Sequence, residues 1–231
     1  FFVILFGIFL FIRKKKENTQ RQEMLKQQLL RSQMNPHFLF NALSSIQNFM
    51  LKNETKRAAG YLNNFASLTR NILEHSAQEF VSVSDEIETL NNYVELEKMR
   101  LENKFEFKIT YDKNMEADFI NIPPMLIQPF IENAIKHGLN NIDYSGLLEL
   151  KFEDQGTVLH IEIMDNGVGI DSAKLNKPKK HRSMSMNIFE QRRIVLAKRT
   201  KQAIGLEVIN RNSLDINQTG TLVKIEIPII S

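Results

Sequence analysis

The sequence contains no cysteine. That absence excludes disulfides, thiol nucleophiles and thiolate metal sites, and it fits a reducing compartment such as the cytoplasm. Glycine and proline are scarce, 9 and 6 in 231 residues, while 42% of the chain is apolar. Breakers are too few for a loop-rich protein, so folded, largely helical structure is expected, one ordinary domain with extra helices. The chain opens on Phe1 rather than methionine, and an upstream portion is expected.

Charge is absent from the first twelve residues, "FFVILFGIFLFI", which run into "RKKK". A membrane span needs roughly 20 apolar residues, so residues 1–12 read as the end of a truncated transmembrane helix. The alternative is a short buried core helix. Arg13 to Lys16 belong on the cytoplasmic side of the membrane, which places the chain from Arg13 onward in the cytoplasm. Residues 13–31 hold seven Lys/Arg against two Glu, so the net +3 divides into +5 here and −2 elsewhere. This suits a basic juxtamembrane segment facing anionic lipid, and no direct nucleic-acid partner is expected.

Leu25, Leu29, Ser32, Pro36, Leu39, Leu43, Ile46 and Met50 alternate spacings of four and three, a heptad seam. Such a helix wants a partner, and after a single membrane span the same helix of a second subunit supplies one, giving a parallel homodimer. Phe38, Phe40 and Phe49 lie off the seam and are expected to cover a second helix carrying Ala58, Tyr61, Leu62, Phe65, Leu68 and Ile72, which makes a four-helix bundle. Pro36 removes a backbone hydrogen bond and bends the helix, at a cost of about 3 kcal/mol. A hinge that presents His37 is the expected return. Gln33, His37 and Asn41 form an i, i+4 stripe pointing outward. An exposed imidazole, ordinarily titrating near about 6.5, can be a nucleophile, a proton carrier or a metal ligand, or an idle surface group.

The stretch "QMNPHFLFNAL" resembles the phosphoacceptor motif of the LytS-type membrane sensor histidine kinases, in which Pro-His-Phe-x-Phe-Asn frames the histidine that receives phosphate. The resemblance implies that His37 is that acceptor and that Asn41, one turn on, orients a reacting group. Many other histidine kinases place an acidic residue directly after the histidine as a general base; Phe38 stands there in this chain.

Downstream, "VSVSDEIETLNNYVELEKMRLENK" opens a helix with Ser82 and Asp85 in capping-box spacing and Ile87, Leu90, Val94 and Leu101 on one face. The runs "KFEFKITYD", "LLELKFED", "TVLHIEIMD" and "TLVKIEIPI" alternate as strands of one half-covered sheet, with "LEVIN" a weaker candidate. His160 falls on the polar face of its strand and receives no role, nor does His75. Between the strands, "IPPMLIQPFIENAIKHGLNN" reads as a helix that prolines start and Gly138 ends in a left-handed stop. Asn133 and His137 share one of its faces, and Glu132 and Lys136 the neighbouring one.

"ENAIKHG" followed by "DNGVGID" resembles the adenine-nucleotide site of the GHKL ATPase superfamily, to which histidine kinases and gyrase belong. The resemblance implies ATP and Mg2+. Asn133 would hold magnesium on the phosphates, with Lys136 and His137 nearby, Asp165 would accept the adenine amino group, and Gly167 and Gly169 would allow close backbone approach. Glu132 matches the position that activates water in the superfamily's hydrolases; in a kinase it would serve transfer or the metal shell instead. The lid departs from the pattern, because "DSAKLNKPKKHRSMSMNIFEQRR" has no glycine. Arg182 and Ser183, at the start of the following helix, are its phosphate candidates.

The fold implied is α+β: a membrane-proximal helical dimerisation bundle, then a GHKL (Bergerat) α/β sandwich whose mixed sheet is covered by helices on one face. The divisions are 1–12, the truncated span; 13–30, a juxtamembrane coiled-coil linker; 31–102, the helical dimerisation and phosphotransfer region; and 103–231, the ATP-binding catalytic domain. The implied function is ATP-dependent autophosphorylation on His37, then phosphotransfer to an aspartate of a response regulator, with DNA-binding output. Two other readings stand beside it: a relay that signals through contacts alone, favoured by the glycine-free lid, and a GHKL hydrolase, which needs neither anchor nor exposed histidine.

Overall fold

The structure, a computed structural model, describes residues 36–76, 78–112, 114–140, 142–170, 189–190, 192–194, 196–197, 202 and 204–229. The chain divides into two compact units, Phe1–Leu43 and Ser44–Ser231. Helix α1 (Pro36–Leu51) is described from Pro36 onward, so the bend predicted there lies outside the described residues, as do 1–12 and 13–30. Among the described residues no helix is long and apolar enough to cross a membrane.

From α1 the chain reverses at Asn53, which takes a φ of 56°, a left-handed value asparagine tolerates better than most residues. Helix α2 (Thr55–Ser76) follows. Phe49 is buried against Tyr61, with ring centroids 5.9 Å apart, and the Arg57 guanidinium lies 4.6 Å over the Phe49 ring. Ala58, Tyr61, Leu68 and Ile72 are buried as the spacing predicts, whereas Leu62 is 51% and Phe40 69% exposed. The buried stripe of α2 is narrower than expected, and Leu62 stands about 90° round the helix from its centre.

Strand β1 (Val81–Ser82) leads directly into helix α3 (Val83–Arg100). The predicted capping box is formed: the Asp85 N–H donates to Ser82 Oγ at 3.0 Å and the Ser82 N–H to Asp85 Oδ2 at 3.3 Å, an arrangement that stabilises a helix start by about 1 kcal/mol. One residue on, the Glu86 carboxylate is buried and accepts the Met125 N–H at 2.8 Å and the Ile127 N–H at 3.3 Å. It ties α3 to the segment ahead of the "ENAIKHG" helix. A two-residue ladder, Val81↔Ile122 and Ser82↔Asn121, joins β1 to β3 (Asn121–Ile122) beside it.

Burial pushes the Glu86 carboxyl up to about 7, against the N–H groups of Met125 and Ile127 and the charge of Arg192. A carboxyl raised in the folded state is stabilising while protonated: its contribution is complete below about 4.5 and is lost as pH rises through about 7. Chemical denaturation across that window should show unfolding free energy falling by about 3 kcal/mol more than in Glu86→Gln. Equal slopes for the two proteins would contradict this account.

The sheet runs β2 (Phe105–Tyr111), β4 (Gly146–Asp154), β5 (Val158–Asp165), β7 (Thr221–Pro228), β6 (Gly205–Asn210) in spatial order. Only β2 and β4 are parallel. Parallel neighbours need a long crossover, and residues 112–145 supply it, including helix α4 (Gln128–Asn133) and its π-helical continuation Ala134–Leu139. Leu148, Leu150, Phe152, Leu159, Ile161, Ile163, Val223, Ile225 and Ile227 are buried on one face. Helices cover that face, where Phe130 meets Phe189 edge to face at 4.9 Å. The opposite face carries cross-strand polar pairs, the Lys224–Glu162 ion pair and the contact of His160 with Glu226, each at 3.6 Å.

Candidate functional site

The π turn and the end of β5 together line a cavity of about 310 Å³. Asn133, His137, Asp165 and Gly169 line it; Ile163, Ile170, Val208 and Val223 give it aliphatic walls, and Thr221 reaches it from β7. The volume is at the lower end of small-molecule pockets.

Asp165 is the last residue of β5 and only 3% exposed. Its Oδ1 accepts the Gly167 N–H at 2.8 Å. Burial raises the carboxyl above its ordinary value, opposed by the Gly167 N–H, by the Thr221 N–H and hydroxyl, and by the nearby Arg211 charge. The result is a fixed acceptor between aliphatic walls. Such a pair fits a flat heterocycle with an exocyclic donor, held at its faces by dispersion and at its edge by the carboxylate.

Close approach explains the glycines. A Cβ on Gly167 would run into the backbone of Gly138, and one on Gly138 would come within 3.0 Å of Asp165 Oδ1. The Gly138 carbonyl also accepts the Val168 N–H at 3.2 Å. The left-handed stop predicted at Gly138 is not formed: among the described glycines only Gly156, Gly169 and Gly220 take positive φ. Gly138 lies within the π turn Ala134–Leu139, and at this position the site uses lack of bulk rather than backbone freedom.

Of the other residues singled out in the sequence, Glu132 is half-buried beside Asn133 and Lys136 is exposed, and neither lines the cavity. Asn41 is half-buried on α1; the side chain of His37, and all of Arg182, Ser183 and the lid, lie outside the described residues. Sequence reasoning missed Thr221 and Arg211, whose relation to Asp165 depends on the pairing of β5 with β7, where Met164 stands opposite Leu222. Among the described residues no trio of His, Asp or Glu is grouped to hold a metal alone. Asn133 offers a hard amide oxygen at the cavity, suited to magnesium that keeps most of its ligands from phosphate and water.

The family model described as histidine kinase matches residues 25–105. The sensor histidine kinase BtsS of Escherichia coli strain K12 is 32% identical over 165 residues, 71% of this chain and 28% of BtsS. The sensor protein LytS of Staphylococcus saprophyticus is 31% identical over 148 residues, 64% of this chain and 24% of LytS. The chain thus spans about a quarter of the length of these relatives. The histidine kinase domain of a blue-light activated kinase from Erythrobacter litoralis shares the fold over 91% of this chain and 94% of its own, with a TM-score of 0.50 at 16% identity. Residues 25–105, which hold the Pro-His-Phe motif, belong to the histidine kinase family, and the chain is similar to sensor proteins of the LytS type.

Proposed function

We propose that this chain is the kinase portion of a membrane-tethered, homodimeric sensor histidine kinase, divided at residues 12, 30 and 102 into span, linker, phosphotransfer region and ATP-binding domain. The observation that carries the reading is the buried Asp165, which lines one largely apolar cavity together with Asn133 and His137. ATP with Mg2+ would supply the γ-phosphoryl group. Asp165 accepts the adenine amino group, Ile163 and Val223 cover its ring, and Asn133 holds the metal, with Lys136, His137, Arg182 and Ser183 toward the phosphates. Gly167 and Gly169 keep the base loop close to the helix. A ring nitrogen of His37 takes the phosphoryl group as the bond to the bridging oxygen breaks and ADP leaves, and Asn41 and Glu132 orient the reacting groups. An aspartate on a response regulator with DNA-binding output then takes it over. Transfer of this kind is mainly positioning and charge neutralisation, work that side chains held on rigid elements perform.

The test is incubation with γ-labelled ATP and magnesium, followed by acid and alkali treatment of the labelled protein. Acid-labile, alkali-stable label is expected, and Asn133→Ala should reduce its rate at least about tenfold through loss of transition-state charge neutralisation. Nucleotide binding without any label would instead point to a relay acting through contacts.

A further inference from the structure

The loop Asp165–Ile170 that carries the carboxylate crosses the end of β7, and the connection between β6 and β7 grips it from the far side. The Arg211 Nη1–H donates to the Asp165 carbonyl at 3.0 Å. The Thr219 hydroxyl donates to the Asn166 carbonyl at 3.3 Å and the Asn210 Nδ2–H to the Ile170 carbonyl at 2.7 Å. Both ends of the loop are therefore held by side chains from the end of β6 and the connection that follows it.

Those side chains are themselves braced. Arg211 Nη2 donates to Gln218 Oε1 at 2.8 Å, and the Arg211 N–H to the Gly220 carbonyl at 3.0 Å. Asn210 Oδ1 accepts the Asn212 N–H at 3.3 Å, so this amide is oriented from both ends. Asp215 closes the turn by accepting the Asn217 N–H at 3.0 Å and the Gln218 Nε2–H at 3.1 Å. From the β4 side, the Tyr144 hydroxyl reaches the Asn166 carbonyl at 2.7 Å, which fills that oxygen's second acceptor position.

We propose that Asn210, Arg211 and Thr219 are positioning residues for the nucleotide, a clasp that keeps the Asp165–Ile170 loop in its base-binding shape before ligand arrives. This rests on the nucleotide reading of the cavity. None of the three supplies the base-recognising carboxylate; they act by fixing the backbone that does. A loop that samples other shapes binds more weakly in proportion to the fraction of time it is competent, so the clasp sets affinity without contributing a base contact.

Amide exchange of the 165–170 segment in the nucleotide-free chain, together with calorimetric titration of ADP, decides the matter. Asn210→Asp keeps the acceptor for Asn212 but turns an oxygen toward the Ile170 carbonyl. Arg211→Met keeps bulk and loses the donors, while Arg211→Lys restores one donor and the charge. At a temperature where all variants are folded, Asn210→Asp and Arg211→Met should each speed exchange about tenfold and weaken ADP by a similar factor; Arg211→Lys should recover most of both. Unchanged exchange in both variants overturns the clasp, and so does faster exchange with unaltered ADP affinity. Failure of the unmodified chain to bind ADP defeats the nucleotide reading instead, and the exchange comparison still decides whether the clasp holds the loop.

Discussion

A His37→Gln chain should acquire no acid-labile label from γ-labelled ATP while binding nucleotide as tightly as the unmodified chain. Glutamine approximates the size and polarity of histidine and suits a helix, but its amide is not nucleophilic. The comparison is sharp because the sequence has only five histidines. His75 Nδ1 is engaged with the Thr89 hydroxyl at 3.1 Å, and His160 stands on the polar sheet face beside Glu226. His137 lines the cavity itself, and His181 lies outside the described residues. Label persisting in His37→Gln but absent from His137→Gln with nucleotide still bound would relocate the acceptor to the nucleotide site, and label absent from His181→Gln would relocate it to His181. Loss of label together with loss of nucleotide binding would show only that the substitution had disturbed the fold, so the titration is run on the same sample.

Gly220→Ala should destabilise the chain by about 4 kcal/mol, the largest stability change expected of any single methyl group here. Gly220 has a φ of 107°, which side-chain-bearing residues rarely adopt, and an added Cβ would fall onto the Asp165 carbonyl with the Asn166 Cα 2.9 Å away. The backbone strain and the overlap add, and neither neighbour can give way. Asp165 closes a buried strand, and Asn166 is fixed by the Leu147 N–H donating to its Oδ1 at 2.7 Å. Urea denaturation of Gly220→Ala beside Gly156→Ala checks the claim. Gly156 has a similar positive φ of 81° but open space around it, so it isolates the strain. Equal losses in the two would mean that the crossing of the loop over β7 is not as tight as described.

Much of the fold was legible because its signals are local. Alternation within "TVLHIEIMD" placed Leu159, Ile161 and Ile163 on the buried face, and Ser82 with Asp85 announced the start of α3. Asn133 and Asp165 were legible as a pair only through the resemblance of their motifs, since a separation of 32 residues carries no spacing rule. What escaped depends on strands distant in sequence. The β1–β3 ladder, the grip of Glu86 on residues 125 and 127, and the side chains of Asn210, Arg211 and Thr219 all require the three-dimensional register to be known first. Gly138 shows a different limit. A glycine at a helix end usually signals a left-handed residue, and only the structure reveals that another glycine is pressed against it.

The π turn Ala134–Leu139 also constrains how this gene can vary. A π segment arises when one residue is inserted into an α-helix. Removing a single codon within it would restore α-helical winding and leave the flanking residues in nearly their present directions, because the wider turn is what absorbs the extra residue. A second deletion, with no π turn left to absorb it, would swing everything after it round by about 100° and part Gly138 from Gly167. Among natural variants, in-frame losses between Asn133 and Gly138 should therefore stop at one codon, even where neighbouring connections shorten freely.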